Sequence, residues 1–386
     1  EMLYKDCTGM EMAKYFRPPE GRFNENTLKY ANENGYKTVF WSFAYADWDN
    51  KMQLPEEEAI KKVLDNTHNG AILLFHPTSE TNAKILGKLI AEWRAQGYRF
   101  GTLDELTVPF NDRVNYFGDG VYEATFTRNH KVFALEEHID RFYRSASMVD
   151  IKIPMEKAEM AALIRDLVGR VDDPEQQVYF QITRGTQPRN HTYPEDMVGN
   201  FWVVLKPMAI KNIGMEVKAI LREDIRFHQC HIKTLNLLPA VLYSQEAARA
   251  GVYEAILYRT PGQSGCGGEL VGGMATRVTE CAHSNVHIIN RKGEFQTAPL
   301  DNLILPGIAR AHLITACRAL GIPVNETPFT VDELMNAKEV LISSSSAPGL
   351  RCVEIDGKPV GRQAPEVVAA LQKWVKDEIF AATEAD

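Results

Sequence analysis

The chain has 386 residues, 45% of them hydrophobic and 24% charged, which is typical of a globular protein with a hydrophobic core and is too long for one typical domain. The net charge of −8 and the pI of about 5.8 argue against a nucleic-acid partner, which would favour a basic surface. The sequence contains no C-x-x-C pair, signal region or apolar run of ~20 residues, so we expect a cytoplasmic protein with no membrane partner.

Two short apolar runs stand out in the first 106 residues. The runs at 37–43 and 70–76 are rich in β-branched, aromatic and leucine side chains, and each follows a helix-like stretch. We therefore predict two buried strands in a β/α arrangement, as in a piece of a parallel sheet or barrel.

From residue 107 onwards the pattern changes to hairpins and longer helices. We predict strands at 122–127, 131–133, 177–183, 200–205 and 215–221, with a turn at 128–130. We predict helices at 135–148, 156–168, 239–250, 306–320 and 365–381, with Pro306 in the first turn of the fourth. The Gly-rich run at 261–273 is interpreted as a surface insertion, because the alternative, a phosphate-binding loop, would need a Lys-Ser or Lys-Thr pair after it.

Two residues of this second part have complementary chemistry. Lys233 lies in the segment HIKTLNLL at 231–238, and Glu280 follows it in the segment VTECAHSNV at 278–286. A lysine amine can bind an aldehyde as a Schiff base, and a carboxylate can keep a pyridine nitrogen protonated. Together they suit pyridoxal phosphate, which acts as an electron sink.

Residues 107–386 resemble the class IV, or fold-type IV, pyridoxal-phosphate aminotransferases. The resemblance rests on the order and spacing of several segments: FGDGVYE at 117–123, EHIDR at 137–141, TRGTQPRNH at 183–191, IKTLN at 232–236, TE at 279–280, LPGI at 305–308 and SSSS at 343–346. Within this family the D-amino acid aminotransferases are the most similar. The resemblance implies a small α/β domain at 107–208 and a large cofactor-binding domain at 209–386.

The resemblance also implies which residues bind pyridoxal 5'-phosphate. Lys233 matches the Schiff-base lysine, which also carries the proton in transamination. Glu280 matches the partner of the pyridine nitrogen, so Lys233 and Glu280 are the expected catalytic residues. The phosphate is expected to bind Arg141, the backbone amides of Ile308 and Ala309 at a helix start, and the hydroxyls of Ser344 and Ser345.

Three further residues are implied in substrate binding. Arg189 and His191 match the Arg-x-His carboxylate trap of D-amino acid aminotransferases, and Tyr122 is expected beside them. In the family this loop reaches the active site of the neighbouring subunit, so a homodimer is implied. Glu123 is expected at the seam of that dimer.

Residues 1–106 resemble the C-terminal part of a NodB-type polysaccharide deacetylase. The matching segments are FRPPEG at 16–21, ADWD at 46–49 and LLFH at 73–76. The resemblance implies that Arg17 and His76 descend from catalytic positions. The aspartate pair and the H-x-x-x-H motif that would bind a metal do not precede Arg17, so we expect neither a bound metal nor deacetylase activity.

The expected fold class is therefore α/β and α+β, a truncated NodB-like β/α piece followed by the two-domain fold-type IV aminotransferase fold. Related aminotransferases begin with a strand pair ahead of the motif at 103–109, so either 98–102 supplies an edge strand or the small domain is incomplete. The predicted function is transfer of an amino group between a D-amino acid, such as D-alanine, and a 2-oxo acid, such as 2-oxoglutarate. The alternatives are a branched-chain aminotransferase, a peptidoglycan or polysaccharide de-N-acetylase relative, and an inactive two-part scaffold.

Overall fold

A computed structural model describes residues 2–49, 51–68, 70–101, 103, 111–260 and 276–385. The chain divides into two units, Glu1–Phe110 and Asn111–Asp386. Three features of the sequence lie outside the described residues: the predicted boundary at residue 106, the motif at 103–109 beyond its first residue, and the Gly-rich run at 261–273. In the described part of the chain, no helix is both long and apolar enough to span a membrane.

The first unit consists mainly of helices with one small sheet. In chain order its elements are α1 (Met2–Thr8), β1 (Tyr15–Phe16), a 3-10 turn (Pro19–Gly21), α2 (Glu25–Glu33), β2 (Lys37–Thr38), α3 (Glu56–Asp65) and α4 (Glu80–Ala95). Strand β1 pairs in parallel with β2. On α4, Ile85, Leu89 and Trp93 recur every four residues and are buried in the same core as Ala59 and Val63 of α3.

The two strands predicted in this unit are shorter than expected. Only Lys37 and Thr38 of the run 37–43 form a strand, and the run 70–76 takes part in a single bridge, between Phe43 and Leu73. The side chain of Ser42 accepts a hydrogen bond from the Ile72 amide at 2.9 Å, replacing a bond that a regular ladder would make between backbones. The predicted lengths were wrong because an apolar run does not reveal how far a neighbouring strand can pair with it.

The second unit contains the longer helices and two sheets. Its elements are α5 (Arg113–Phe117), β3 (Gly120–Arg128), β4 (Lys131–Val132), α6 (Leu135–Met148), α7 (Lys157–Gly169), β5 (Gln176–Thr183), β6 (Phe201–Pro207), β7 (Glu216–Glu223), α8 (Leu238–Arg249), β8 (Glu254–Arg259), β9 (Arg277–Cys281), β10 (Asn285–Ile289), β11 (Phe295–Thr297), α9 (Ile308–Ala319), β12 (Val324–Asn325), α10 (Val331–Met335), β13 (Glu339–Ser344), β14 (Ala347–Ile355), β15 (Lys358–Pro359) and α11 (Pro365–Ala382).

The smaller sheet has the strand order β4-β3-β5-β6 and is antiparallel throughout. Asn129 and His130 both have positive φ angles in the turn between β3 and β4, as a tight hairpin requires, so the predicted turn is confirmed. Phe180 of β5 packs edge-on against Phe142 of α6, with ring centroids 5.0 Å apart. Residues 98–101 form no strand, so an edge strand from 98–102 is not seen in the described part of that segment.

The larger sheet, counted over the described residues, has nine strands in the order β12-β11-β10-β13-β14-β7-β8-β9, with β15 pairing with β14. Strands β14, β7 and β8 are mutually parallel, and α8 lies in the crossover between β7 and β8. The segment from the end of β7 to the start of α8 carries Lys233. The chain therefore leaves this sheet and approaches the smaller one before it returns.

Most predicted elements of the second unit are confirmed to within a few residues, and α6 matches its predicted range. The helix predicted at 306–320 begins instead at Ile308, with Gly307 as its extended N-cap. Pro306 therefore lies before the first turn of the helix. The reason is that its carbonyl accepts a hydrogen bond from Arg141. The division of this unit at residue 208 into a small and a large domain remains a prediction.

Candidate active site

One cavity of the second unit collects side chains from both sheets and from the segments between them. Its walls come from β3, α6, the segment before α8, the ends of β9 and β10, the start of α9 and the turn between β13 and β14. Eight of the predicted site residues line it: Tyr122, Arg141, Lys233, Glu280, Ile308, Ala309, Ser344 and Ser345. Residues that are far apart in sequence thus share one concave site.

Lys233 is held at the edge of the smaller sheet. The amide of Tyr122 donates to the Lys233 carbonyl at 3.0 Å, and the amide of Leu235 donates to the Gly120 carbonyl at 2.9 Å. A Cβ atom on Gly120 would come within 2.6 Å of both Ile182 and Leu235, so only glycine permits this approach. The Lys233 amine lies 4.3 Å from the centre of the Tyr122 ring. Backbone pairing and one aromatic face therefore fix the amine inside the cavity.

Glu280 also lines the cavity and is buried. Its Oε1 accepts from Arg226 at 2.5 Å, and its Oε2 accepts from Asn285 at 2.9 Å and from the Leu305 amide at 3.0 Å. Burial raises the pKa of Glu280, although the Arg226 guanidinium opposes the rise. Since a carboxylate has about four lone-pair positions, one acceptor position of Glu280 is left for a ligand.

Sequence reasoning missed Arg226, which joins Glu280 to a second buried carboxylate. Arg226 donates from Nε and Nη2 to Asp224, each at 2.9 Å, and Thr279 donates to Asp224 at 2.8 Å. Burial raises the pKa of Asp224, but Arg226 more than offsets it, so the pKa is lowered overall. The available signal was an Asp-x-Arg pattern that begins three residues after the end of a predicted strand.

The opposite end of the cavity is built to receive an anion. Helix α9 points its N-terminus at the cavity, and no described side chain caps it, so the amides of Ile308 and Ala309 are presented to a ligand. The side-chain oxygen of Asn285 occupies the space that a Cβ atom on Gly307 would need, so any other residue at this N-cap position would displace Asn285. Ser344 and Ser345, at the turn between β13 and β14, face the same space.

Arg141 completes this anion site, and Glu123 holds it there. Arg141 donates to Glu123 from Nε at 2.6 Å and from Nη2 at 2.8 Å, while His138 contacts the same carboxylate at 2.6 Å. Burial raises the pKa of Glu123, but Arg141 and His138 outweigh it, so the pKa lies well below the usual range. Glu123 is therefore buried beside Arg141 within the protomer, and its expected position at a dimer seam remains a prediction. Of the five N–H groups of Arg141, two are left for a phosphate after the bond to Pro306.

These groups fit pyridoxal 5'-phosphate. A dianionic phosphate matches helix amides, hydroxyls and an arginine at one end of the cavity, and a pyridine nitrogen matches the free acceptor position of Glu280 at the other. The Lys233 amine lines the same cavity. The unanticipated residues Asn285 and Arg226 hold this donor set in place.

Arg189 and His191 do not line this cavity in the protomer. Both are exposed, and both contact the ring of Phe117: the Arg189 guanidinium carbon lies 5.4 Å and the His191 ring centroid 5.2 Å from its centre. Arg113 donates to the backbone carbonyls of Asn190 at 2.5 Å and His191 at 3.2 Å. The loop therefore has a defined anchor, and its contribution to a neighbouring site remains a prediction.

In the first unit, His76 pairs with a buried carboxylate. Its Nδ1 lies 2.7 Å from Oδ1 of Asp47, and its amide donates to Oδ2 at 2.7 Å. Asn82 donates to the same carboxylate at 2.5 Å, whereas Arg17 is exposed. The resemblance of this unit to polysaccharide deacetylases remains a prediction.

Comparison with known proteins gives a consistent result for the second unit. The family model for amino-transferase class IV matches residues 120–355. The D-alanine aminotransferase of Listeria monocytogenes serotype 4b is 38% identical over 286 residues, covering 72% of this chain and 93% of the relative. The D-alanine aminotransferase of Bacillus licheniformis is 35% identical over 283 residues, covering 71% of this chain and 94% of the relative.

Solved structures share the fold at lower identity. A branched-chain aminotransferase from Thermoproteus uzoniensis matches with a TM-score of 0.63 and 22% identity, covering 74% of this chain and 94% of that one. A putative 4-amino-4-deoxychorismate lyase from Legionella pneumophila matches with a TM-score of 0.59 and 19% identity, covering 72% and 98%. At these identities the likeness concerns the fold and not the substrate.

Proposed function

The chain belongs to the class IV aminotransferases, and from this membership we propose that it transfers an amino group between a D-amino acid, such as D-alanine, and a 2-oxo acid, such as 2-oxoglutarate, with pyridoxal 5'-phosphate as cofactor. The observation that carries the proposal is the single cavity in which Lys233, Glu280 and the anion donors meet. The curated D-alanine aminotransferases support the D-amino acid substrate. The branched-chain alternative has only fold similarity in its favour.

When bound, pyridoxal 5'-phosphate supplies an aldehyde that takes up the amino group and a ring that withdraws electrons. Lys233 provides the amine that holds the aldehyde and, once released by substrate, moves a proton at its Nζ to and from the substrate Cα. The anchored backbone and the Tyr122 face support this role, because they keep Nζ at one position. A fixed base removes the need to reorient during proton transfer.

Glu280 accepts a hydrogen bond from the pyridine nitrogen and stabilises its protonated form. Arg226, Asn285 and the Leu305 amide orient the carboxylate by taking its other acceptor positions. The Glu280 carboxylate has to be ionised to perform this role, so Arg226 serves the reaction by opposing the effect of burial on the pKa.

The phosphate is bound by the start of α9, the hydroxyls of Ser344 and Ser345, and Arg141. These donors come from three separate elements, so each fixes the cofactor from a different direction. Position 309 is alanine and offers only its backbone amide to the phosphate.

We assign the substrate carboxylate to Arg189 and His191 of a neighbouring subunit, with Tyr122 on the near side of the site. The exposed position of the loop supports this assignment, because its side chains are accessible to a second subunit while Arg113 holds its backbone. The functional form is then a homodimer. A cytoplasmic location agrees with Cys7, Cys230, Cys281, Cys317 and Cys352, which are free thiols.

The test is a transamination assay on the purified full chain with pyridoxal 5'-phosphate, D-alanine and 2-oxoglutarate, followed by measurement of pyruvate. We expect pyruvate with D-alanine and much less with L-alanine. Replacing D-alanine by L-leucine and following 4-methyl-2-oxopentanoate tests the branched-chain alternative. Turnover of the branched-chain L-amino acid alone would overturn the D-amino acid assignment.

A further inference from the structure

His312, on α9, lies between two carboxylates from two other helices. Its Nδ1 is 2.7 Å from Oε2 of Glu378 on α11, and its Nε2 is 3.1 Å from Oε2 of Glu137 on α6. Only 12% of the side chain is exposed. The Phe133 ring covers it, with centroids 5.2 Å apart. Helix α6, helix α11 and the segment that carries Phe133 thus meet at the imidazole of His312.

The two contacts together require the protonated form of His312. A neutral imidazole has one N–H donor and one lone pair, so one nitrogen would face a carboxylate with its lone pair. An imidazolium ion donates to both carboxylates. Burial lowers the pKa of His312, but the bonds to Glu137 and Glu378 outweigh it, so the pKa is raised, in agreement with the geometry.

The position of this contact relates it to the anion site. Glu137 precedes Arg141 by four residues on α6, and His312 follows Ile308 by four residues on α9. Residues four apart lie on the same face of a helix, one turn from each other. The Glu137–His312 contact therefore lies one turn behind the place where Arg141 and the start of α9 face each other.

A second bond also connects α6 with the segment at the start of α9. Arg141 donates from Nη1 to the Pro306 carbonyl at 2.9 Å, two residues before α9 begins. Two contacts thus set the spacing between Arg141 and the α9 amides. One is the hydrogen bond from Arg141 to the neutral Pro306 carbonyl, and the other is the ionic contact between Glu137 and His312, one helical turn further from the cavity.

We propose that His312 is a positioning residue which, as an imidazolium ion, ties α6 to α9 and so sets the distance between Arg141 and the amides of Ile308 and Ala309. The inference rests on the proposed function, because it takes those groups to bind the cofactor phosphate. Its consequence is a cofactor affinity that depends on the charge of a residue outside the cavity.

The direction of the pH dependence follows from the two carboxylates. Among the described residues, the charged groups facing His312 are Glu137 on α6, beside His138 and Arg141, and Glu378 on α11. The Glu137 contact is the longer, and its side chain is 50% exposed against 28% for Glu378. On deprotonation the remaining proton stays on Nδ1, facing Glu378, and Glu137 is released. Affinity is therefore highest below the pKa of His312 and falls as the pH rises through it.

The experiment measures binding of pyridoxamine 5'-phosphate to the full-length apoprotein between about pH 6 and about pH 9, where histidine titrates. This probe has no aldehyde, so it does not react with Lys233. We compare the wild type with His312→Leu and Glu137→Gln. The control is Asp140→Asn, also on α6, whose partner Lys157 is an exposed surface residue.

We expect His312→Leu to bind about fivefold more weakly at the low end of this range and to converge with the wild type at the high end, since one charge-assisted hydrogen bond is lost. In Glu137→Gln the amide can donate to the neutral Nε2, so this variant should keep its affinity at high pH. Asp140→Asn should follow the wild type throughout. The pH profile of thermal unfolding of each apoprotein gives a second readout that needs no cofactor.

The failure of this inference can be told from the failure of the proposed function. A wild type that binds no pyridoxamine 5'-phosphate at any pH overturns both. Tight binding with the same pH profile in the wild type, His312→Leu and Glu137→Gln overturns the role of His312 and leaves the function standing. If His312→Leu does not fold, the conservative Glu137→Gln variant alone decides, because only the positioning role predicts that this variant keeps at high pH the affinity that the wild type loses.

Discussion

Glu123 binds both Nε and Nη2 of Arg141, at 2.6 and 2.8 Å, inside a site whose ligand is itself an anion. The carboxylate removes part of the positive charge that a phosphate would meet. In exchange it fixes the plane of the guanidinium, so that the two remaining N–H groups keep a fixed orientation. Position, more than net charge, is what this pair supplies to the cofactor site.

Glu123→Gln should destabilise the protein by about 3 kcal/mol, because it removes one charge of a buried pair and leaves the other unbalanced. The measurement is urea unfolding of the apoprotein. Glu136→Gln, on α6 and in an exposed pair with Arg165, should cost under about 1 kcal/mol. Equal effects of the two substitutions would contradict the role of the buried pair.

The same pair should make stability sensitive to acid. The pKa of Glu123 is lowered in the folded protein, so its contribution is fully present above the ordinary glutamate pKa of about 4.3 and is lost as the pH falls through the folded value. The difference in unfolding free energy between the wild type and Glu123→Gln should therefore shrink in acid. A difference that stays constant across this range would argue against an ionised Glu123.

Lys233→Ala should abolish pyruvate formation and the visible absorbance of the protein-bound cofactor, because no other described lysine lines the cavity. Absorbance spectra and the pyruvate assay check this. Lys373→Ala, an exposed lysine on α11, is the control and should behave as the wild type. Turnover by Lys233→Ala would remove this residue from the mechanism.

Arg226→Leu should lower kcat about tenfold or more while KM changes little, because it acts through the ionisation of Glu280 and not on the substrate. Removing the guanidinium lets burial raise the pKa of Glu280 further. The acid limb of the pH–rate profile should then move to higher pH. An unmoved acid limb would show that Arg226 has only a structural role.

Arg189→Ala should raise KM for D-alanine at least about tenfold, since a charge-assisted carboxylate contact is lost, while cofactor affinity stays unchanged. Steady-state kinetics and cofactor titration separate the two effects. An unchanged KM would exclude Arg189 from the substrate site.

Mixing Lys233→Ala and Arg189→Ala subunits tests the dimer directly. If the Arg189 loop serves the neighbouring subunit, each hybrid dimer contains one site with both native residues, and the mixture should regain activity at low D-alanine concentration, which neither variant shows alone. The measurement is pyruvate formation after the two proteins have been unfolded, mixed and refolded together. No gain over the separate variants would favour a loop that acts within its own subunit.

The features of this structure that the sequence predicts are those set by residues close together in the chain. Helix α6 and the turn after β3 were predicted well because periodicity and turn chemistry are local. Motif spacing correctly selected Lys233 and Glu280 as cavity residues. Such signals need only the residues within one segment.

The partners of those residues could not be predicted in the same way. Glu123 meets Arg141 across a strand and a helix, and Arg226 meets Glu280 across the larger sheet, so both pairs exist only once the elements have packed. The strand predicted at 37–43 failed for a similar reason, because strand length depends on a neighbour that the run itself does not describe. The helix predicted to begin at Pro306 begins two residues later, at Ile308, because Gly307 is extended and forms its N-cap.

Asn285 reaches both ends of the cofactor site. Its amide nitrogen donates to Glu280 at 2.9 Å, and its oxygen fills the space beside Gly307 at the start of α9. A methyl group on residue 307 would push this side chain aside and disturb the distant carboxylate as well. A substitution where the phosphate binds would then also weaken the chemistry at the pyridine ring. The phosphate site and the ring site therefore cannot be altered independently.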